Sequence, residues 1–190
     1  MGMNRLQQDA VLLVLADELR KNGSWCGETH LQKATYCMQE LLKVPTGFSF
    51  ILYKHGPFSF DLRDELTAMR ADGLLELRAQ SPYGPSLVPT ERSIQLRERF
   101  SKTVGRYEKQ ITFVAENLGG ENVAGLEKLA TALYVTLEGN LESVNARARR
   151  IHDLKPHVSI DEASKAVQTV DAIAKAAGGL LSCRASSVGA

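Results

Sequence analysis

The stretch YKHGPFSFDLRDEL, Tyr53–Leu66, contains the change from strand to helix that decides the fold. A Gly-Pro pair follows His55 and marks a turn. Ser59 stands where a helix N-cap is expected, because its hydroxyl can accept a hydrogen bond from the first helical turn. The next apolar residues recur at i, i+4 and i+7 and predict a buried helix face that ends at Gly73: Leu62, Leu66 and Met69.

The flanking segments predict two helices before this corner and a hairpin after it. Residues 4–21 have helical apolar spacing and stop at Gly23. Residues 29–43 predict a buried helix that begins with a capping box of Thr29 and Gln32. Residues 48–53 are aromatic and β-branched, as is typical of a short strand. Residues 74–80 and 86–90 flank the turn-rich sequence SPYGP and predict a hairpin.

This order of elements is that of a winged helix-turn-helix domain. We therefore predict a mainly α (α+β) fold, with a winged-helix-like core and a three-stranded sheet over residues 1–90. Residues 91–177 predict a helical region that packs on this core or dimerises, beginning with one long helix over 91–118. Its second helix should bury a face from Val123 to Leu137, and its last should open with a capping box of Ser159 and Glu162. Residues 178–190 predict a weakly specified tail.

Composition is that of an ordinary globular protein. The chain has 190 residues, 44% of them hydrophobic and 24% charged, with a formal net charge of +1. We find no run of 18 apolar residues and no signal-peptide layout, so we predict a cytoplasmic protein with no membrane partner. Three irregularly spaced cysteines do not suggest a disulfide framework.

Catalytic and metal-binding patterns are weak. Cys26, His30 and Cys37 do not have the spacing of a zinc site, and a fourth ligand is missing. Ser59 lacks the G-x-S-x-G context of a nucleophile, and nothing near Cys26 in sequence would activate its thiol. His55 with Asp61 or Asp64 offers an acid–base pair without a supporting motif. We therefore predict no cofactor and no metal, and an enzyme built around His55 and Cys26 is the least favoured alternative.

The charge pattern bears on nucleic-acid binding. The helix after the Gly-Pro pair, which a winged helix would place in the major groove, is net acidic. Positive charge lies further along the chain, and the candidates for DNA contacts are Arg92, Arg97, Arg99, Lys102, Arg106, Lys109, Arg147, Arg149 and Arg150.

Two parts of the chain resemble a known family. LQKATYCMQELL, the aromatic strand and YKHGPFSFDLRDELTAMRADGLLEL resemble the YwgA-like proteins and, more distantly, the SocA/Panacea-type antitoxin domain. LKPHVSIDEASKAV looks like a segment near the end of YwgA-like chains. The matching positions of the first part are Leu31, Gln32, Lys33, Tyr36, His55, Gly56, Pro57, Phe58, Ser59, Leu62, Leu66, Gly73 and Leu74.

The resemblance implies a winged-helix-like bacterial or phage protein without established enzymatic activity, and Panacea-type members bind protein partners as antitoxins or adaptors. We predict a non-enzymatic regulatory or adaptor protein that binds a toxin or regulatory protein. The candidate contact residues are Asp61, Asp64, Glu65, Arg63 and His55. The alternative is a winged-helix DNA-binding regulator that uses the basic residues of 92–109 and 147–150. Long amphipathic helices after residue 90 also make a homodimer an expectation.

Overall fold

The computed structural model describes residues 2–80 and 83–185 and is mainly helical, as predicted. Its helices are α1 (Arg5–Lys21), α2 (Glu28–Leu42), α3 (Phe60–Ala71), α4 (Glu91–Arg99), α5 (Ser101–Leu118), α6 (Val123–Leu137), α7 (Val144–Leu154) and α8 (Ile160–Ala185). Its strands are β1 (Ile51–Tyr53), β2 (Gly56–Phe58), β3 (Leu75–Gln80) and β4 (Tyr83–Pro89). None of the helices within these ranges has the length and apolar character needed to cross a membrane.

Helix α2 lies at the centre of the molecule. Every residue from His30 to Met38 is buried, and the helix packs against α1, α3, α5, α6, α8 and β2. One continuous hydrophobic core therefore joins the first 90 residues to the later helices. A helix buried on all sides normally carries only apolar side chains, yet this one also buries His30, Gln32, Lys33 and Thr35. These polar groups must find partners inside the protein.

The predicted start of α2 was wrong. The helix begins at Glu28 with Gly27 as N-cap, so Thr29 lies inside the first turn and the capping box with Gln32 does not form. The Gln32 amide instead hydrogen-bonds the main chain of Ser59, 27 residues away. A long-range backbone partner has replaced the local one that the sequence pattern indicated.

The predicted three-stranded sheet is not formed by the described strands, which pair as two separate antiparallel hairpins. β1 pairs with β2, with Ile51 opposite Phe58 and Tyr53 opposite Gly56. The tight turn at Lys54–His55 folds the chain straight back, so β1 pairs locally instead of with the later hairpin. β3 pairs with β4, and the Leu87 N–H donates to the Cys26 carbonyl before α2. Residues 81 and 82 of the predicted SPYGP turn lie outside the described residues.

The predicted long helix over 91–118 is two helices, α4 and α5, that meet at Phe100. Gly105 lies inside α5 and does not interrupt it. The bend at Phe100 lets both helices pack on α1, where Arg97 of α4 pairs with Asp17. A straight helix of that length would leave α1 after a few turns, so tertiary packing determines the break.

The C-terminal helices pack on one another as α6, α7 and α8. Val123 and Leu137, predicted to face inward, are each 45% exposed because they occupy the two ends of α6. The capping box of Ser159 and Glu162 is confirmed: each residue hydrogen-bonds the other at the start of α8. α8 continues past Gly178 to Ala185, and the remaining five residues of the predicted tail lie outside the described residues.

Asp9 is a buried acid on α1. Its side chain is fully buried, and neither carboxylate oxygen has a hydrogen-bond partner among the described residues. Burial raises the pKa of Asp9 to about 7, and the negative charge of Glu65 adds to the effect. The folded protein therefore keeps a proton on Asp9 at pH values where an unfolded chain has already released it. Between about pH 4 and about pH 7 this acid lowers stability as pH rises.

We predict that Asp9→Asn stabilises the protein at neutral and higher pH. An uncharged amide removes the cost of ionising a buried carboxyl and can donate a hydrogen bond towards Glu65. The free energy of unfolding should rise by about 2 kcal/mol at about pH 8 and change little at about pH 4.5. Denaturant titrations of both proteins at several pH values measure this difference.

Glu108→Gln, which removes an exposed acid in the middle of α5, is the matched control and should change the free energy of unfolding by less than about 0.5 kcal/mol at every pH tested. Burial lowers the pKa of His30 and gives a slope of opposite sign near pH 6, so only the difference between variant and wild type measures Asp9. A variant that follows the wild type at every pH would contradict the assignment.

Candidate functional site

The Gly-Pro corner, defined here as residues 53–59, lies directly on α6. Gly56 adopts a φ of +82°, which L side chains rarely adopt. A Cβ at this position would also lie 3.0 Å from the Thr131 hydroxyl oxygen and 3.4 Å from the Glu127 carbonyl oxygen. Glycine is thus required here both by backbone conformation and by the close approach of the turn to the helix.

Two buried lysines hold the corner from different parts of the chain. Lys33 of α2 donates through Nζ to the Pro57 carbonyl at 2.8 Å. Lys155, which follows α7, donates to the Tyr53 carbonyl at 2.7 Å and also to the Lys54 carbonyl. Burial lowers the pKa of Lys33 to about 8, an effect that the nearby Glu127 carboxylate opposes and Lys155 reinforces.

Gln32 fixes the end of the corner where α3 begins. Its amide nitrogen donates to the Ser59 carbonyl at 2.8 Å, and its amide oxygen accepts from the Ser59 N–H at 2.9 Å. The Ser59 hydroxyl accepts from the Leu62 N–H, which confirms the predicted N-cap. Leu62, Leu66 and Met69 are buried as the sequence predicted. The main chain of Ser59 therefore joins the corner to α2, and its hydroxyl caps α3.

Glu127 of α6 is the acid of this site. Its buried carboxylate lies 3.7 Å from Lys155 Nζ, and its two oxygens lie 3.3 Å from a ring nitrogen of His55 and of His157. Both histidine side chains are exposed at their other edge. One carboxylate is thus shared by buried ammonium and exposed imidazole groups, and it balances the positive charge placed under the corner.

The contacts of this cluster are those of a structural site. His55 pairs with Glu127 and not with Asp61 or Asp64, the acids that the sequence offered as partners. Ser59 is buried and its hydroxyl is occupied by Leu62, which leaves it unsuited to nucleophilic attack. Within residues 2–80 and 83–185, no group of three or more metal-binding side chains is brought together.

Cys26, the other residue of the enzymatic alternative, lies away from the surface. Its side chain is fully buried, and its thiol lies against the Ala16 carbonyl of α1 rather than near His55. Burial raises the pKa of Cys26 to about 12, so the reactive thiolate is scarce at neutral pH. Cys37 is also buried, on α2.

The outer side of the corner carries an aromatic surface, defined here as Tyr53, Phe58 and Phe60. The three ring centroids lie 5.1–5.9 Å from one another, in tilted and edge-to-face arrangements. Tyr53 is 46% exposed and Phe60 is 40% exposed. The Arg63 guanidinium lies 5.0 Å from the centre of the Phe60 ring. Phe58 is half-buried beside the other two rings. Exposed aromatic rings that cluster on a well-anchored turn are typical of a contact surface.

The predicted partner-contact residues do not all lie beside the aromatic surface. Asp61 and Asp64 are exposed on α3 beside the rings, and Arg63 pairs with Asp64. His55 lies at the edge of the corner over Glu127. Glu65 is different: it faces α1 and pairs with Arg5 at 2.8 Å, which leaves little of its side chain exposed.

The predicted DNA-contact residues do not form one free basic surface. Arg147 is buried, where it donates two hydrogen bonds of 2.7 Å to Asp171 of α8. Arg97 is engaged by Asp17, and Arg150 lies 3.6 Å from Glu138. The remaining candidates are exposed on α4, α5 and α7: Arg92, Arg99, Lys102, Arg106, Lys109 and Arg149.

The sequence analysis did not identify the aromatic surface or the buried charged residues beneath the Gly-Pro corner. Tyr53 and Phe60 were not recognised as surface residues, although pairing Tyr53 with Gly56 through a tight turn would have placed the rings together. Lys33, Lys155 and Glu127 carried no local sign of burial, because charged residues normally lie at the surface.

Compared with known proteins, the chain matches no family model, and no curated protein is significantly similar to it. The resemblance to YwgA-like and Panacea-type proteins therefore stays a prediction. Its residues Gln32, Lys33, Gly56, Pro57 and Ser59 nevertheless share a structural role, since all of them build or hold the Gly-Pro corner.

We predict that Lys33→Met destabilises the protein and loosens the corner. The Pro57 carbonyl would remain buried without its donor, and Glu127 would lose part of its counter-charge. The free energy of unfolding should fall by about 1–3 kcal/mol. Chemical denaturation measures this loss, and the amide resonances of residues 54–58 should broaden or shift.

Lys109→Met, at an exposed position of α5, is the control and should change stability by less than about 0.5 kcal/mol. If Lys33→Met were as stable as the wild type, the cost of burying the ammonium would offset its hydrogen bond, and the anchoring role would be wrong.

Proposed function

We propose that this protein is a non-enzymatic regulatory or adaptor protein that binds a protein partner, in the manner of an antitoxin. The observation that carries the proposal is the aromatic surface, in which the exposed rings of Tyr53 and Phe60 pack with the half-buried Phe58 on a corner that buried lysines hold in place. Exposed aromatic residues bury large areas on binding and lose little conformational entropy.

The charges beside the rings favour a partner segment that combines apolar and basic side chains. Asp61 and Asp64 are exposed next to Phe60, and α3 with its C-cap Asp72 has more acids than arginines. Lysine or arginine side chains of a partner can approach these acids and the faces of the rings. A phosphate backbone would be repelled by the same acids.

The arrangement of the first 90 residues supports a winged-helix-like core for this binding protein. α1, α2 and α3 precede the β3–β4 hairpin in the order of a winged helix, and the hairpin corresponds to the wing. In this proposal, the start of α3 contacts a protein instead of a DNA groove. The resemblance to Panacea-type domains supports the same class of partner.

We predict that Phe60→Asp strongly weakens partner binding without unfolding the protein. The substitution places a charge in the middle of the aromatic surface, where a partner would have to desolvate it. Affinity purification from the native host with quantitative mass spectrometry identifies proteins retained by the wild type. The interaction is then reconstituted with the purified partner, whose affinity for Phe60→Asp should be at least about tenfold weaker.

Leu77→Asp is the matched control, because Leu77 is 44% exposed but lies on the other hairpin. It should retain the partner fully. A partner lost equally from both variants, or bound equally by both, would contradict the proposed surface, as would a host extract from which no protein binds reproducibly.

The second candidate is a DNA-binding regulator, which the exposed cations of α4, α5 and α7 favour. In this case the protein should bind duplex DNA with an affinity that falls steeply with salt. The changes Lys102→Glu and Arg149→Glu together should abolish this binding, while Phe60→Asp should leave it intact. The absence of any mobility shift with random duplex at low salt would exclude this candidate. Light scattering on the same samples tests the expected homodimer.

A further inference from the structure

A groove of about 1000 Å³ lies at the N-terminal end of α2 and is lined by different residues from the Gly-Pro corner. Its walls are the α1–α2 loop with Trp25, the β3–β4 hairpin at Pro85 and the loop that leads into α6. The first turn of α2 forms part of its floor, and Arg20 of α1 lies at its edge. This volume is in the range of small-molecule sites in proteins.

The first turn of α2 has main-chain donors available to a ligand. The N-cap is Gly27, which has no side chain, and no described side chain caps this helix. The N–H groups of the first turn of an α-helix have no partner within the helix, and the helix dipole adds a partial positive charge there. The start of this 15-residue helix therefore offers main-chain donors of the kind that bind oxyanions in proteins.

The buried His30 ring provides a second, independent observation, because one of its nitrogens lacks a hydrogen-bond partner among the described residues. The residue lines the groove and is only 4% exposed. Its Nδ1 has no hydrogen-bond partner in the described part of the chain. A Cβ on Gly27 would lie 3.8 Å from this nitrogen, so Nδ1 faces the uncapped start of α2. A buried ring nitrogen without a partner is costly unless a bound group completes its hydrogen bonding.

The remaining groups of the groove fit an anion with a flat apolar part. Trp25 supplies an indole ring whose N–H is already bonded to the Gly84 carbonyl. The Arg20 guanidinium, bonded to Ser86, supplies a positive charge. Two acids also line the groove, but Glu28 is exposed and the Glu121 carboxylate lies against Gly125 in the first turn of α6.

We propose that this groove binds a small organic anion, whose phosphate or carboxylate lies at the start of α2 beside His30 and whose flat part lies against Trp25. The α2 N–H groups and Arg20 hold the negative oxygens. A ligand hydroxyl, or a protonated oxygen of the phosphate, supplies the hydrogen bond to His30 Nδ1. Such a site lies apart from the aromatic surface and gives the protein a means of responding to a metabolite.

Three anions and one neutral compound test the site by NMR of the full-length protein: adenosine monophosphate, inorganic phosphate, benzoate and adenosine. Trp25 is the sole tryptophan in the sequence, so its indole resonance reports directly on the groove. Adenosine monophosphate should shift the Glu28 and Thr29 amides and the indole with saturation, and adenosine should bind at least about tenfold more weakly. Inorganic phosphate should shift the two amides alone. Benzoate binding in place of adenosine monophosphate would identify a carboxylate ligand.

His30→Ala and Arg20→Gln should each weaken binding by about tenfold or more. Lys165→Ala, which changes an exposed cation of α8 outside the groove, should bind as the wild type does. If none of the three anions shifts the Glu28 and Thr29 amides with saturation up to about 10 mM, or if sodium chloride has the same effect, the groove holds only water and the proposal is wrong. The wild-type shifts decide this even where a variant fails to fold.

Discussion

Two buried ammonium groups hold the Gly-Pro corner, and the arrangement of the surrounding helices depends on them. Lys33 and Lys155 donate to carbonyl groups of Tyr53, Lys54 and Pro57, and Glu127 balances their charge. Removing two charges from water costs several kcal/mol each unless good hydrogen bonds replace the lost hydration. The helices supply the donors that the carbonyl groups of the turn require, and the turn supplies the acceptors that the two buried ammonium groups require. Because the lysines bond the corner from its inner side, the rings of Tyr53 and Phe60 remain exposed on its outer side.

Helix α2 connects the two surfaces that we propose to be functional. Its first turn, with His30, faces the groove beside Trp25, and Lys33, three residues later, reaches the corner beneath the aromatic surface. Because the helix is tightly packed on all sides, a shift of its position would change the geometry of both the groove and the Gly-Pro corner. The groove and the corner that carries the aromatic surface therefore both contact α2, at side chains about one helical turn apart.

Local signals in the sequence were sufficient to predict much of the fold. Ser59 as N-cap, the stripe of Leu62, Leu66 and Met69, and the start of α8 depend on neighbouring residues and were confirmed. The capping box at Thr29 and the unbroken helix over 91–118 failed because distant contacts decided them, whereas the three-stranded sheet failed because β1 pairs with its neighbour β2 through a tight turn. The candidate site was predictable only in part, since burial of Lys33, Glu127 and Arg147 arises from packing between segments far apart in sequence.

The bond from Lys155 to the corner spans 102 residues of sequence, and this has a consequence for synthesis. The first 90 residues leave the ribosome with the aromatic surface already made but with one of its two anchors still untranslated. Until Lys155 emerges, the carbonyls of Tyr53 and Lys54 have water in place of their ammonium partner. Domains tend to fold from the N-terminus during translation, but this corner can take its final form only near the end. The rings of Tyr53, Phe58 and Phe60 therefore rest on a fully anchored turn only after most of the chain has been synthesised.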